Sequence, residues 1–242
     1  MRNLKLKIQY DGTNFHGWQR QKNARTVQED LEKALSCVLS QGINLTGAGR
    51  TDAGVHALEQ VANFKTTSEL PMERILLGAN SFLTSDVKIL DIERVHINFN
   101  ARFNAISRSY RYRLMRTFRP LEQRYAWYPR YKWDDAVIIE AVKFLSGSHS
   151  FKSFSRARPG EDEYICRVID ASWIANEEGA EFFIKADRFM HKMVRGLVGS
   201  LIELGRGKIQ TEEFLRKLNH PVKNGDTRVA QPQGLTLLKV EY

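Results

Sequence analysis

The residues from Gly47 to Ala57 read Gly-Ala-Gly-Arg-Thr-Asp-Ala-Gly-Val-His-Ala and surround one carboxylate, Asp52. Gly47, Gly49 and Gly54 open backbone conformations closed to other residues, so the spacing predicts a tight loop holding the Asp52 side chain at a fixed, exposed point. An ionised carboxylate placed in this way can bond to an electrophilic carbon, or stabilise positive charge there while a leaving group departs. The plainer reading is a turn or cap residue, the usual work of Asp beside Gly. His56 follows four residues later, either as a partner of the site or as a loop histidine satisfied by its surroundings. Metal and cofactor chemistry finds no motif. His16, His56, His96, His149, His191 and His220 show no zinc-ligand spacing near a cysteine, and neither a dinucleotide-binding fingerprint nor a P-loop is present. Cys37 and Cys166 each sit in an apolar stretch, which predicts free, buried thiols.

Charge points to the partner. The chain carries 37 Lys and Arg against 28 Asp and Glu, a formal net charge of +9, which suits a polyanion whose counterions are released on binding. The excess is concentrated between Arg102 and Lys132, where Arg102, Arg108, Arg111, Arg113, Arg116, Arg119, Arg124, Arg130 and Lys132 meet a single acid, Glu122. Phe103, Tyr110, Tyr112, Phe118, Tyr125, Trp127, Tyr128 and Tyr131 are interleaved with them. Guanidinium groups that hold phosphates beside aromatic faces that stack on unpaired bases describe a grip on single-stranded RNA. The same pattern also describes a solvated basic strand whose aromatics fill a core. No apolar run is long enough to span a bilayer, and the N-terminus alternates apolar and basic residues where a secretory signal would be uniformly apolar, so a cytoplasmic protein is expected.

These residues need a scaffold, and periodicity supplies one. Leu4, Leu6, Ile8 and Tyr10 alternate with Lys5, Lys7 and Gln9 as a strand with one buried face. Thr26 and Glu29 form a capping-box pattern before a helix through Val27, Leu31, Ala34, Leu35 and Val38. The glycine-rich loop, a strand at Gln60–Phe64, a helix through Ile75, Leu76, Leu77 and Ala79, and a strand from Val87 complete the first half. The second half repeats the order: a strand at Tyr110–Leu114, a helix through Val137, Ile138, Ala141, Val142 and Leu145, strands at Ile165–Trp173 and Glu181–Ala186, a helix along Met190, Met193, Leu197 and Leu201, and a strand from Leu235 to Tyr242. Ser155 to Glu163 reads as an exposed loop. Two β-α-β-β-α-β halves, residues 1–105 and 106–242, predict an α+β fold in which two ferredoxin-like units form one mostly antiparallel sheet with helices on one face and an RNA cleft across the other.

The segment Gly49-Arg-Thr-Asp-Ala-Gly-Val-His56 resembles the active-site motif of the TruA family of tRNA pseudouridine synthases, whose aspartate falls on Asp52. Six further stretches match in the family's order: Tyr10-Asp-Gly-Thr-Asn-Phe-His-Gly-Trp-Gln-Arg-Gln21, Phe99-Asn-Ala-Arg-Phe103, Arg108-Ser-Tyr-Arg-Tyr112, Phe151-Lys-Ser-Phe154, Met193-Val-Arg-Gly-Leu-Val-Gly199 and Gly234-Leu-Thr-Leu237. Two departures concern loops: Leu83-Thr-Ser-Asp86 stands where Leu-Pro is common, and Gln231 follows Ala230 where Pro is usual. The resemblance implies isomerisation of uridine to pseudouridine in the anticodon stem-loop of tRNA, at positions 38 to 40, by a homodimer that uses no cofactor and no metal. It implies Asp52 as nucleophile, Arg195 as its ionic partner, Arg50 as a hold on the extruded nucleotide, Tyr110 as the ring stacked on the uracil, and Leu235 as part of the pocket's apolar wall. Gly12, His16, Trp18 and Gln19, from the first matched stretch, suit a loop touching RNA or a structural turn. Two other classes compete. A non-catalytic RNA-binding module would not centre its most specific segment on a carboxylate, and a glycoside hydrolase needs a second carboxylate that the sequence does not offer.

Overall fold

The computed structural model describes residues 1–156, 164–222 and 228–242. The fold is mixed α+β, with strands that pair mostly antiparallel, and divides into two units. No helix among the described residues is long and apolar enough to cross a membrane.

The first unit comprises Met1–Ile106 and Thr236–Tyr242. It runs β1 (Arg2–Tyr10), α1 (Val27–Leu39), β2 (Thr46–Gly47), β3 (His56–Thr66), α2 (Met72–Phe82) and β4 (Val87–Val95). β1 is the centre, pairing antiparallel with β3 on one side and β4 on the other. Its alternation does what the pattern dictates: Leu4, Leu6 and Ile8 are wholly buried, and Lys5 and Lys7 stand on the opposite face. The strand that ends the chain, β9 (Leu235–Glu241), lies parallel to β3 with His56 opposite Thr236. The register of β1 on β3 slips between Ile8 and Tyr10, a bulge whose extra residue lies on β3.

Helix α1 departs from its expected capping. Thr26 occupies the N-cap with an extended backbone, yet its hydroxyl makes no cap bond, and Glu29 pairs with Lys33 at 2.8 Å. The first-turn amides are met from elsewhere in the fold, Val27 N–H by the Gly17 carbonyl at 3.2 Å and Gln28 N–H by the Trp18 carbonyl at 3.0 Å. Helix donors left over at an N-terminus accept any well-placed oxygen, and here the backbone of the preceding segment reaches them. Cys37 also differs from expectation. It is free but exposed, two residues past buried Leu35 and therefore turned away from the packed stripe.

The second unit, Ser107–Leu235, contains β5 (Ser107–Met115), α3 (Asp135–Val142), β6 (Gly147–Ser150), β7 (Ile165–Ala175), β8 (Gly179–Ala186), α4 (Met193–Gly205) and α5 (Thr211–Asn219). Its strands lie in the order β5-β8-β7-β6, antiparallel throughout. Tyr112 and Phe182 face each other across β5 and β8 and are wholly buried. The Asp135 carboxylate gathers the edge of this core, accepting from Trp133 Nε1 at 2.9 Å and Trp173 Nε1 at 2.8 Å and pairing with Arg116. β6 and α5 are additions to the expected pattern. Gly-Ser-His-Ser in β6 carries no apolar alternation, and α5 anchors itself through Phe214 and Leu218 alone, too short a stripe to register as periodic. Of the loop expected at Ser155–Glu163, residues 157–163 lie outside the described residues.

In the first unit Arg25 ties the connection between β1 and α1 to the start of β4. Its guanidinium grips Asp86 with two bonds of 2.8 and 2.9 Å, pairs with Asp30 at 2.8 Å and lies 4.1 Å from the centre of the Phe15 ring. The Arg25 bond holds the Asp86 carboxyl down at about 2, helped by the Thr84 hydroxyl and opposed by partial burial. Because the folded value lies below the ordinary aspartate value of roughly 3.9, Asp86 stabilises the fold above that pH, and the contribution disappears as pH falls towards 2. Thermal unfolding followed from pH 5 to pH 2 should therefore show a steeper loss for the wild type than for Asp86→Asn, whose midpoint is already lower at pH 5. Parallel curves would remove this pair from the acid response.

Candidate active site

The Asp52 loop is built from beneath. Ala48 N–H donates to the Val61 carbonyl at 2.8 Å as β2 leaves the sheet, and Val55 N–H closes a reverse turn on the Asp52 carbonyl at 3.2 Å. Gly54, third in that turn, has φ 77°, in the left-handed region where a side chain is strained. Between these anchors Thr51 is buried, Asp52 is partly exposed and Arg50 is exposed. Thr51 is fixed at both its polar ends. Its carbonyl accepts from Trp18 N–H at 3.1 Å, and its Oγ1 lies 2.8 Å from the Tyr10 hydroxyl. Gln60, fully buried on β3, donates through Nε2 to the Gly49 carbonyl at 3.1 Å.

The stretch from Tyr10 to Gln21 supports this loop through its buried residues and leaves Thr13, Asn14, His16, Arg20 and Gln21 exposed. Trp18 is 2% exposed, and Gln19 Nε2 donates to the side chain of Gln28 at 2.8 Å. A Cβ at Gly12 would stand 2.0 Å from the Val55 carbonyl oxygen, so the two backbones are in direct contact. His56 is 3% exposed, its Nδ1 3.0 Å from the Gly12 amide and 3.1 Å from Asp11 Oδ1, which makes it a buried link between this stretch and β3. Only His16 of the four residues considered for RNA contact is exposed while Gly12 and Trp18 are buried. Gly12 and Trp18 thus take the structural reading, because sequence alone does not reveal which residues of a mixed loop lie under another loop.

Tyr110, Arg195 and Leu235 belong to the second unit, whereas Asp52 and Arg50 belong to the first. Tyr110, on β5, is 9% exposed, with the Phe189 ring edge-on to its own at 4.9 Å and 81°. Arg195 lies in the first turn of α4. Its Nε donates to the Ala230 carbonyl at 2.8 Å, and Ala230 N–H returns a bond to the Arg195 carbonyl at 3.0 Å. One residue further along, the Gln231 carbonyl accepts from the Tyr112 hydroxyl at 2.6 Å. The bond uses the backbone oxygen of position 231, which Gln and Pro offer alike, so the replacement of the usual Pro by Gln leaves this grip intact. Burial pushes the Tyr112 hydroxyl well above its ordinary value, with the Arg195 charge opposing, so the phenol remains a donor. Leu235, 7% exposed, opens β9. Phe189 escaped the sequence reading, and Tyr112 entered it only as an aromatic of the basic stretch and the close of the Arg-Ser-Tyr-Arg-Tyr motif, with no sign of its hold on the Gln231 carbonyl.

Three arginines of the basic stretch, two of them on β5, face carboxylates. Arg113 pairs with Glu122 at 3.1 Å and Glu181 at 3.2 Å, Arg111 lies 3.7 Å from Glu181, and Arg119 bonds to Glu122 and Glu178 at 2.9 and 3.0 Å. Of the interleaved aromatics, Tyr110, Tyr112 and Trp127 are core, while Phe103, Phe118, Tyr125 and Tyr131 remain at the surface.

A family model described as tRNA pseudouridine synthase matches residues 7–104 and 141–242. The chain belongs to this family. The matched ranges include Arg50, Asp52, Arg195 and Leu235 and omit Tyr110. Proteins named tRNA pseudouridine synthase A from Thermoanaerobacter sp. (strain X514), Chlorobaculum tepidum and Acetivibrio thermocellus are 39%, 38% and 37% identical to it, over 100% of this chain and 100%, 98% and 100% of theirs.

The contact at Gly12 can be tested directly. Gly12→Ala forces a methyl group into the Val55 carbonyl and is expected to destabilise the protein by about 1–3 kcal/mol, read as a lower midpoint in urea unfolding. A midpoint equal to wild type would mean that the two segments are not in contact.

Proposed function

We propose that this chain isomerises uridine to pseudouridine at positions 38 to 40 in the anticodon stem-loop of tRNA, with Asp52 as the nucleophile. Membership of the family makes the chain a tRNA pseudouridine synthase, an isomerase. What carries the finer reading is a single carboxylate on a loop that buried groups immobilise from below, because a nucleophile that must meet one carbon of a flipped nucleotide needs a fixed origin. In the reaction the N1–C1′ bond of uridine breaks as the Asp52 carboxylate bonds to C1′, the freed uracil turns in place, and C5 bonds to C1′ with release of the carboxylate. The C5 proton passes to water and N1 gains one, so atoms balance without oxidant or cofactor.

The remaining roles follow from the family pattern. Arg195 stabilises the ionised form of Asp52, Arg50 holds the extruded nucleotide, Tyr110 stacks on the uracil, and Leu235 contributes apolar wall. By the same pattern the enzyme acts as a cytoplasmic homodimer. The net charge of +9 supports a polyanionic substrate.

Unmodified tRNA carrying tritium at uridine C5 tests the reading, since isomerisation releases the label to water. Wild type should release it only from transcripts with uridine at positions 38 to 40, and Asp52→Ala should release none. Release by Asp52→Ala at the wild-type rate would remove Asp52 from the chemistry, and release from tRNA lacking uridine at those positions would overturn the site assignment. Salt dependence gives a second check. Because Arg111 and Arg113 already face carboxylates, replacing either by Gln should change the slope of log K against log salt by less than the roughly 0.7–0.9 expected per phosphate contact. A full unit lost at either position would mean that RNA displaces Glu181.

A further inference from the structure

Tyr10 stands at the end of β1, beyond the bulge where Leu58 and Glu59 on β3 oppose Gln9 alone. The extra residue belongs to β3, so β1 keeps its alternation and Tyr10 stays on the buried face of Leu4, Leu6 and Ile8. Tyr10 is 3% exposed, its ring lies against Phe15 and Trp18, and its hydroxyl meets Thr51 Oγ1 at 2.8 Å with both groups buried. Thr51 is the residue before Asp52, and its carbonyl is already held by Trp18 N–H. With the carbonyl tied on one side and the hydroxyl on the other, the Thr51 side chain and peptide cannot rotate independently. The direction in which the chain enters Asp52 is then set.

We propose that Tyr10 is a positioning residue for the isomerisation: through its hydrogen bond to Thr51 it orients the Asp52 carboxylate without touching the substrate. The inference rests on Asp52 being the catalytic group. Burial drives the Tyr10 phenol up to about 12, against hydrogen bonds from Thr51 and Gln60 that favour the ionised form, so the hydroxyl stays protonated wherever the enzyme works. Tyr10 thus acts by geometry and takes no part in proton transfer. A displacement of Asp52 by a fraction of an ångström would reduce turnover more than binding, because tRNA affinity is set by contacts spread over the whole substrate.

The test compares Tyr10→Phe, Thr51→Val, Thr51→Ser and Asp52→Ala in the tritium-release assay. Tyr10→Phe keeps the ring and removes the hydroxyl with its bonds to Thr51 and Gln60; kcat should fall about tenfold to a hundredfold, with KM for tRNA within about twofold and the pH profile unchanged in shape. Thr51→Val should match it, Thr51→Ser should recover most of the loss, and the double variant Tyr10→Phe/Thr51→Val should be no worse than either single one, as expected of two groups acting through one bond. Thermal midpoints are measured alongside, and loss of one hydrogen bond in a chain of this size should move them by only about 2–4 °C. Wild-type kcat in Tyr10→Phe, with Asp52→Ala inactive, would overturn the positioning role and leave the catalytic assignment standing. So would equal loss in Thr51→Ser and Thr51→Val, a pH profile that shifts in Tyr10→Phe, or a deficit that vanishes when the variant is assayed well below its midpoint. Activity in Asp52→Ala would instead overturn the catalytic reading beneath it.

Discussion

The chain between β1 and α1 lies so close to the Asp52 loop that the Gly12 backbone touches the Val55 carbonyl, and neither segment can shift there without the other. Much of the first unit is arranged around that closeness. Trp18 supplies the floor under Gly47 and an amide for Thr51, and its carbonyl meets the first turn of α1. Arg25 fastens the far end of the same segment to Asp86. A catalytic loop rich in glycine would otherwise be expensive to order, since glycine loses the most conformational entropy on folding. Burying its polar atoms against a second segment, with bonds to the loop from buried Tyr10, Trp18 and Gln60, offsets that cost.

Polar burial is what makes the arrangement specific rather than merely compact. Tyr10, Gln60 and His56 are all buried and each bonds to a named group at the loop or at the segment beneath it. A buried donor left without an acceptor costs more than a hydrogen bond gains, so a shift of the loop would be penalised at several points at once. The second unit uses the same device on a different segment. Arg195 and Tyr112 together take hold of the carbonyls of Ala230 and Gln231, so the stretch leading to β9 is fixed by side chains from a helix and a strand.

Charge is handled with similar economy. Arg111, Arg113 and Arg119 look in the sequence like an uninterrupted cationic stripe, and the fold brings Glu181 on β8 and Glu178 at its start alongside them. The cross-strand pairs leave the positive field less concentrated on β5 than the sequence suggests. Of the aromatics near it, Phe118, Tyr125 and Tyr131 stay at the surface, the Tyr131 ring under the Arg206 guanidinium at 3.5 Å, while Tyr112 and Trp127 are committed to the interior.

The sequence by itself determined the element types, the location of the glycine-bracketed carboxylate and the family, because periodicity, turn chemistry and motif register are local properties of the chain. Leu4, Leu6 and Ile8 declared a buried strand face without any knowledge of what covers it. The short elements β6 and α5 were beyond such reading, since neither has enough apolar residues to set a period. Which residues support and which present was decided only by the tertiary structure. Trp18 and His56 are buried and Arg113 is paired, each because a segment distant in sequence arrives beside it. Burial and pairing are properties of that meeting, and no residue carries them alone.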